Sequence, residues 1–300
     1  MKKVLIIAYL APYLPGTRRF PGLAKYLPDF GWQPIILTAP LHEKPELQFR
    51  VIETPYRDAL SFWKKLLGIN PEQNFREQVK KRFRATSKRS PFMDFMLTRF
   101  GEIINYPDSE RGWKPFAIKV GIGLLQKENI DAVISIWPVT SHFIAQELKI
   151  KYKIPWLADF PDLWSQNHNY IYSSLRKALD TRLERKILAQ ADAMVTVSEP
   201  WAAKQRALHR TKPVYTITHG FDPEDINDPP AELTAKFTIT YTGTIYPGKQ
   251  EPALLLAALR DLISNGTMNP DDIEARFYGR QYDWLDEEIE QHGLSNIVKQ

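Results

Sequence analysis

The chain has no cysteine among its 300 residues. That excludes a disulfide framework and any thiolate-held zinc or iron–sulfur centre, and it fits a reducing compartment. There is no apolar run near the roughly 20 residues that cross a bilayer. The apolar stretch at residues 4–11 is short and no small-residue cleavage site follows it. Lys2 and Lys3 in front of a buried parallel strand explain it better than a signal peptide. The loop around Gly16 lacks the GxGxxG dinucleotide fingerprint, which speaks against a nicotinamide dehydrogenase. The six histidines show no HExxH-like spacing, so neither a metal site nor a cofactor is expected.

What is present suits a soluble two-domain protein. Hydrophobic residues make up 43% and charged residues 25%, enough for a substantial core and unlike a disordered chain. The length exceeds one ordinary domain. The formal charge is +5, unevenly placed: residues 57–119 hold 14 Lys or Arg against 7 Asp or Glu. This stretch reads either as a solvated helical face or as a surface attracted to anions.

Along the chain a strand–loop–helix rhythm repeats. KVLIIAYLA is a parallel-strand candidate, followed by a loop with Pro12, Pro15 and Gly16, a helix near residues 20–30 and a strand in WQPIILTAP. QFRVIETPY reads as a third strand. Residues 60–105 break the rhythm with mixed apolar and basic character. It returns with a helix in KPFAIKVGIGLLQKEN and the strand DAVISIWP. VTSHFIAQELKIKYK is a helix that Thr140 or Ser141 is placed to cap, and IPWLADF, ADAMVTVSE and KPVYTITHG are strands. This cadence predicts an α/β fold with a doubly wound sheet. The Pro- and Asp-rich stretch 221–235 reads as a linker. The expected organisation is therefore domain 1–220, linker 221–235 and a second Rossmann-like start at 236–300. With only the beginning of a third strand, that second domain is expected to be truncated.

Candidate chemistry lies at strand ends. Asp159 and Asp162 stand beyond IPWL, where open parallel sheets place ligands. They are candidates for base, sugar-hydroxyl acceptor or metal ligand, and Trp164 offers either a sugar platform or packing. His219 and Gly220 end the last strand before the linker. In TGTIYPGKQ, Gly243 and Gly248 bracket a loop and Lys249 follows. Backbone amides and a lysine there suit phosphate oxygens. Gln250 replaces the Ser or Thr of a Walker motif, which speaks against ATP hydrolysis. His142 reads as helix surface or packing, and His168 and His209 have no evident partners.

Several segments in order carry a resemblance: YLAPYLPGTRRFPGLAKYLPDFGWQPIILT, NYPDSERGWKPFAIKVG with DAVISIWPVTSHFIA, IPWLADFPDLW, ADAMVTVSE, TITHGFD and YTGTIYPGKQ. Together they resemble the retaining glycosyltransferases of family 4, which have the GT-B fold, especially members that build surface polysaccharide or lipid-linked glycans. The resemblance implies two Rossmann-like domains facing a cleft, an acceptor-binding N-terminal domain, and a nucleotide-sugar-binding C-terminal domain with no catalytic metal. It implies that Lys249 contacts the donor diphosphate, that Gly243 is the family's loop glycine and that Gly220, with His219, occupies an Asn-Gly position. Asp159 falls where many relatives have a catalytic histidine. Thr244 replaces the family's arginine, and the glutamate pair that holds the donor sugar would lie past residue 300, so a protein ending there is expected to be inactive.

The implied reaction is glycosyl transfer to a glycan or lipid-linked acceptor with retention of configuration. Two alternatives stand beside it: a GT-B sugar-nucleotide 2-epimerase, and a non-catalytic nucleotide-sugar-binding protein of a polysaccharide assembly. The basic and aromatic residues of 62–104 have two readings: contact with an anionic membrane surface, which makes a cytoplasmic protein peripheral on the inner face of the cell membrane, or apolar residues packed under the sheet with the charges facing water. No nucleic-acid module is recognisable.

Overall fold

A computed structural model describes residues 1–9, 19–41, 49–58, 99, 102–103, 105–170, 172–225, 232–246 and 249–300. Gly16, Gly248, most of the 62–104 stretch and part of the 221–235 linker lie outside the described residues. The chain divides into two compact units, Met1–Asp225 and Ile226–Gln300.

The first unit is built on a parallel seven-stranded sheet. Its strands are β1 (Lys2–Ile7), β2 (Trp32–Thr38), β3 (Arg50–Glu53), β4 (Ala132–Ile136), β5 (Trp156–Phe160), β6 (Ala193–Thr196) and β7 (Val214–Thr216), in the order β3-β2-β1-β4-β5-β6-β7. The order reverses between β1 and β4, which opens a crevice at the carboxyl ends of these strands. β1 shows why a run such as KKVLII forms a central strand. Leu5 and Ile7 belong to the core on one face of the sheet, and Val4 and Ile6 to the core on the other, as alternation along a strand with both faces covered demands.

Helices cover both faces. On one lie α2 (Lys114–Lys127) and α3 (Val139–Tyr152), which contribute Ala117, Leu124, Ile144, Ala145 and Leu148 to the core with Trp113. On the other, α1 (Arg19–Tyr26) buries Phe20 and Ala24. α1 continues as a 3-10 turn, Leu27–Phe30, closed by Gly31 at φ 77°, a left-handed stop that glycine adopts without strain. α4 (Ser174–Leu188) begins at a Ser173 cap, and α5 (Glu199–Leu208) precedes β7.

Three local expectations change. KPVYTITHG is a strand only over Val214–Thr216, so His219 and Gly220 lie past the sheet. QFRVIETPY is likewise a strand only over Arg50–Glu53. Neither Thr140 nor Ser141 caps α3, because both are buried in its first turn behind Pro138. The cap comes from Asp108, whose carboxylate accepts from Thr140 N at 2.6 Å and Thr140 Oγ1 at 2.5 Å. A carboxylate there satisfies free amides and meets the positive end of the helix dipole.

The segment that carries Asp108 is held by buried Arg176 of α4. The guanidinium lies between the rings of Tyr106 and Tyr172 and donates to the carbonyls of Glu102 and Pro107 and to Asp180. It thereby fixes the segment leading into α2.

The second unit contains β8 (Phe237–Thr242), α6 (Ala253–Ser264), β9 (Ile273–Tyr278), α7 (Asp283–Gln291) and β10 (Val298–Lys299), a parallel sheet in the order β10-β9-β8. Leu256 and Leu259 of α6 and Leu285 and Ile289 of α7 pack with Ile273, Ala275 and Val298. Two Rossmann-like α/β units, the second smaller, are therefore present. No helix among the described residues is long and apolar enough to cross a membrane.

Candidate functional site

The carboxyl edge of the first sheet gathers Arg19, Asp159, Asp162, His168 and His219. Asp159 is near the end of β5 and only 4% exposed. Its carboxylate is gripped from both sides by Arg19, the first residue of α1, with Nε to Oδ2 at 2.8 Å and Nη2 to Oδ1 at 3.2 Å. The other guanidinium nitrogen donates to the carbonyls of Ile217 and Thr218, at 2.9 and 3.3 Å. Asp162 follows β5 by two residues and is exposed.

Both acids are held above the usual carboxylate range. Burial pushes Asp159 up, and Arg19 and then His219 restrain the rise. For Asp162 the surrounding protein is again the main cause, offset by His219 and His168. The five side chains thus share one electrostatic environment. Burial disfavours charge, and the adjacent cation and imidazoles favour it.

A second cluster sits at the switch point itself and was not foreseen. Tyr9 follows β1, and its ring meets Tyr56 at 5.6 Å and Trp113 at 5.5 Å, edge to face. Asp108 and Glu110, both half-buried, lie beside these tyrosines. Burial raises both acids, and Asp108 raises Glu110 further. Trp113 is tied down through Nε1 to Thr54 Oγ1 at 2.6 Å. Carboxylates beside aromatic rings suit a polyhydroxylated ligand, since the acids accept from hydroxyls and the rings cover apolar sugar faces. The signal in the sequence was NYPDSERGW, where a turn-rich stretch also carries two acids.

In the second unit, Gly243 and Thr244 follow β8 and are exposed. Gly243 has φ 141° and donates N–H to the Tyr278 carbonyl at 2.9 Å. Gly279, at φ 157°, packs so closely that a Cβ there would overlap the Gly243 carbonyl. Two loops at the carboxyl edge therefore touch backbone to backbone, which only glycine permits. Gly279 carried no role in the sequence reading, although the GR after a strand was visible. Lys249 is exposed in a turn where its N–H and that of Gln250 donate to the Tyr246 carbonyl, at 3.0 and 2.9 Å.

The structure therefore groups Asp159, Asp162 and His219 in the first unit, with Gly220 beside His219, and Gly243, Thr244 and Lys249 in the second. Trp164 is packing, buried in the core. His142 is packing and not surface. It is fully buried, stacked on Phe160 at 4.4 Å, with Nδ1 at 2.7 Å from Ser135 Oγ, and burial lowers its pKa to about 3. His209 is buried with Nε2 3.5 Å from Glu184 Oε1, and among the described residues neither atom makes a hydrogen bond. It lines a cavity of about 490 Å³ with Arg185, Arg210 and Lys212, before β7 and away from the carboxyl edge. Among the described residues no group of three or more His, Asp or Glu is arranged to hold a metal ion.

Residues 83–225 match the family model of Glycosyltransferase Family 4. No curated protein matches the chain. Among solved structures, a point mutant of Staphylococcus aureus TarM in complex with fondaparinux, α-GlcNAc-glycerol and UDP is 9% identical, with a TM-score of 0.54 over 100% of this chain and 77% of that one. The lipopolysaccharide outer core galactosyltransferase WaaB is 11% identical, with a TM-score of 0.52 over 100% and 67%. A UDP-N-acetylglucosamine 2-epimerase is 13% identical, with a TM-score of 0.48 over 99% and 68%. At these identities the likeness to TarM and WaaB shows the fold, that of GT-B proteins.

Proposed function

We propose that the protein is a nucleotide-sugar-dependent enzyme whose reaction is transfer of the sugar to an acceptor hydroxyl. The observation that carries this reading is the match at 83–225: the matched stretch supplies Asp108, Glu110, Asp159, Asp162, His219 and Gly220. In this reading Asp162, exposed and flanked by imidazoles, accepts from the attacking hydroxyl, and buried Asp159 sets the local field. Tyr9, Tyr56, Asp108 and Glu110 receive the acceptor glycan or lipid-linked sugar.

Transfer builds negative charge on the leaving diphosphate. Lys249 and the amides near Gly243 and Thr244 stabilise that charge. Retention of configuration is what the family resemblance implies. The acceptor class also motivates a place on the cytoplasmic face of the membrane through 62–104. Full-length protein is expected to sediment with anionic vesicles at low salt and less at high salt. Absence of sedimentation at low salt would leave a soluble acceptor.

The second reading is epimerisation of the donor sugar. The solved structures resembling the chain include nucleotide-sugar 2-epimerases as well as transferases, and fold alone does not choose between the two activities. One experiment separates them. A panel of nucleotide-sugars is screened by calorimetry with full-length protein, and the best ligand is incubated with and without acceptor. Nucleoside diphosphate and glycosylated acceptor support transfer. Epimerised donor without acceptor supports the second reading, and binding without turnover supports a non-catalytic role.

A further inference from the structure

Arg19 has no part in either reading so far, yet four of its five N–H donors are committed at the candidate site. Nε and Nη2 take the two oxygens of Asp159, and Nη1 takes the carbonyls of Ile217 and Thr218. β5 and β7 are not neighbours, since β6 lies between them. We propose that Arg19 is a positioning residue that braces the end of β5 to the chain beyond β7, holding Asp159 in one orientation and His219 and Gly220 at a fixed spacing from it.

The supporting geometry is local to α1. A cation in the first turn of a helix opposes the helix dipole, and no acidic residue is present in that turn to offset it. The helix therefore gains nothing from Arg19, whose bonds all lead to the sheet edge. Buried Phe20 and Ala24 lock α1 against the sheet, so the guanidinium is delivered by a packed element. The same helix grips the same segment again at its other end. Lys25 Nζ meets Asp222 and Glu224, each at 2.6 Å, and Tyr26 Oη donates to Asp222 at 2.7 Å. Residues 217–224 are thus held at both ends of α1. Lysine offers no planar fork and cannot serve a carboxylate and two carbonyls at once.

The brace rests on the proposed function only where Asp159 takes part in turnover, and the test separates the two. In full-length protein labelled with carboxyl-¹³C aspartate, the Asp159 signal is identified by its loss in Asp159→Asn and followed through a pH titration. Arg19→Gln is expected to raise its midpoint by at least about one pH unit, because the charge that opposes burial is gone. Arg19→Lys is expected to recover much of that shift. In turnover, Arg19→Gln is expected to move the acid limb of kcat upward while donor KM changes by no more than about twofold. Arg19→Lys is expected to keep a low kcat despite its recovered titration.

An Asp159 midpoint unchanged in folded Arg19→Gln overturns the brace. A shifted midpoint with an unmoved rate profile supports the brace and overturns the place of Asp159 in the reaction. Should Arg19→Gln fail to fold, the double variant with Asp159→Asn is expected to regain most of the parent's urea midpoint. A double variant as unstable as the single one overturns the pairing.

Discussion

The two carboxyl edges of this protein are built in opposite ways. In the first unit, Asp159 is buried and paired with a residue 140 positions away, and Asp108 caps a helix 32 positions away. In the second, Lys249 stands on an exposed turn whose bonds include Gln250 N to Tyr246 O at 2.9 Å and Tyr246 N to Gln250 Oε1 at 3.2 Å, each four residues apart. Charge in the first unit is fixed in place by the fold. Charge in the second is carried on a short turn that water reaches. Substitutions in the first should therefore disturb stability and chemistry together, and those in the second should separate them.

The largest effect should follow Arg19→Ala. Breaking a buried pair while leaving one charge behind costs about 3–5 kcal/mol. Urea denaturation of parent and variant at neutral pH measures it, and a loss below about 1 kcal/mol would show that Asp159 finds another partner.

Acid should act on the first unit next. The His142 pKa is lowered in the fold to about 3 by burial, against about 6.5 unfolded. Above pH 6.5 neither state binds the proton, so the group contributes nothing. Between 6.5 and 3 only the unfolded chain binds it, and stability falls. By pH 4 the loss amounts to about 3 kcal/mol. The denaturation midpoint should fall less between pH 7 and pH 4 in His142→Asn than in the parent. Equal pH slopes would mean that His142 titrates freely.

In the second unit the rigid point is the contact of Gly279 with Gly243. Gly279→Ala introduces both the overlap with the Gly243 carbonyl and a disfavoured backbone at φ 157°, for a cost of about 1–3 kcal/mol. A thermal melt should show it, and an unchanged melt would mean that the two loops separate without penalty. Lys249→Ala is the sharpest contrast. It should change stability by less than about 0.5 kcal/mol, as exposed positions do, yet weaken nucleotide-sugar binding about tenfold through loss of one charge-assisted contact. Calorimetry of full-length protein checks both halves. Equal affinities would remove Lys249 from the diphosphate site and leave the amides near Gly243.

Much of this was legible in the chain itself. The alternation of apolar strand runs with capped or glycine-stopped helices set the two α/β units. Strand periodicity also placed Asp159 at a carboxyl edge, because a parallel strand buried on both faces has few places for an acid except its end. Gly243 and Lys249 were visible as a loop after a strand. These features depend on neighbours within a few residues, and such signals survive in a linear reading.

What only the tertiary structure decided is which groups meet. Nothing near Arg19 announces Asp159, and nothing near Asp108 announces Thr140. Gly279 is required only because another loop crosses it. His142 sits in a helix of mixed character, and its burial follows from the sheet that the helix covers. Thr140 and Ser141 had the right residue type to cap their helix and lost that place to a carboxylate brought from 32 residues upstream. Local propensity specifies an element and its ends. The partner of a buried charge is set by long-range packing, because the cost of leaving that charge alone is paid only once the fold has removed it from water.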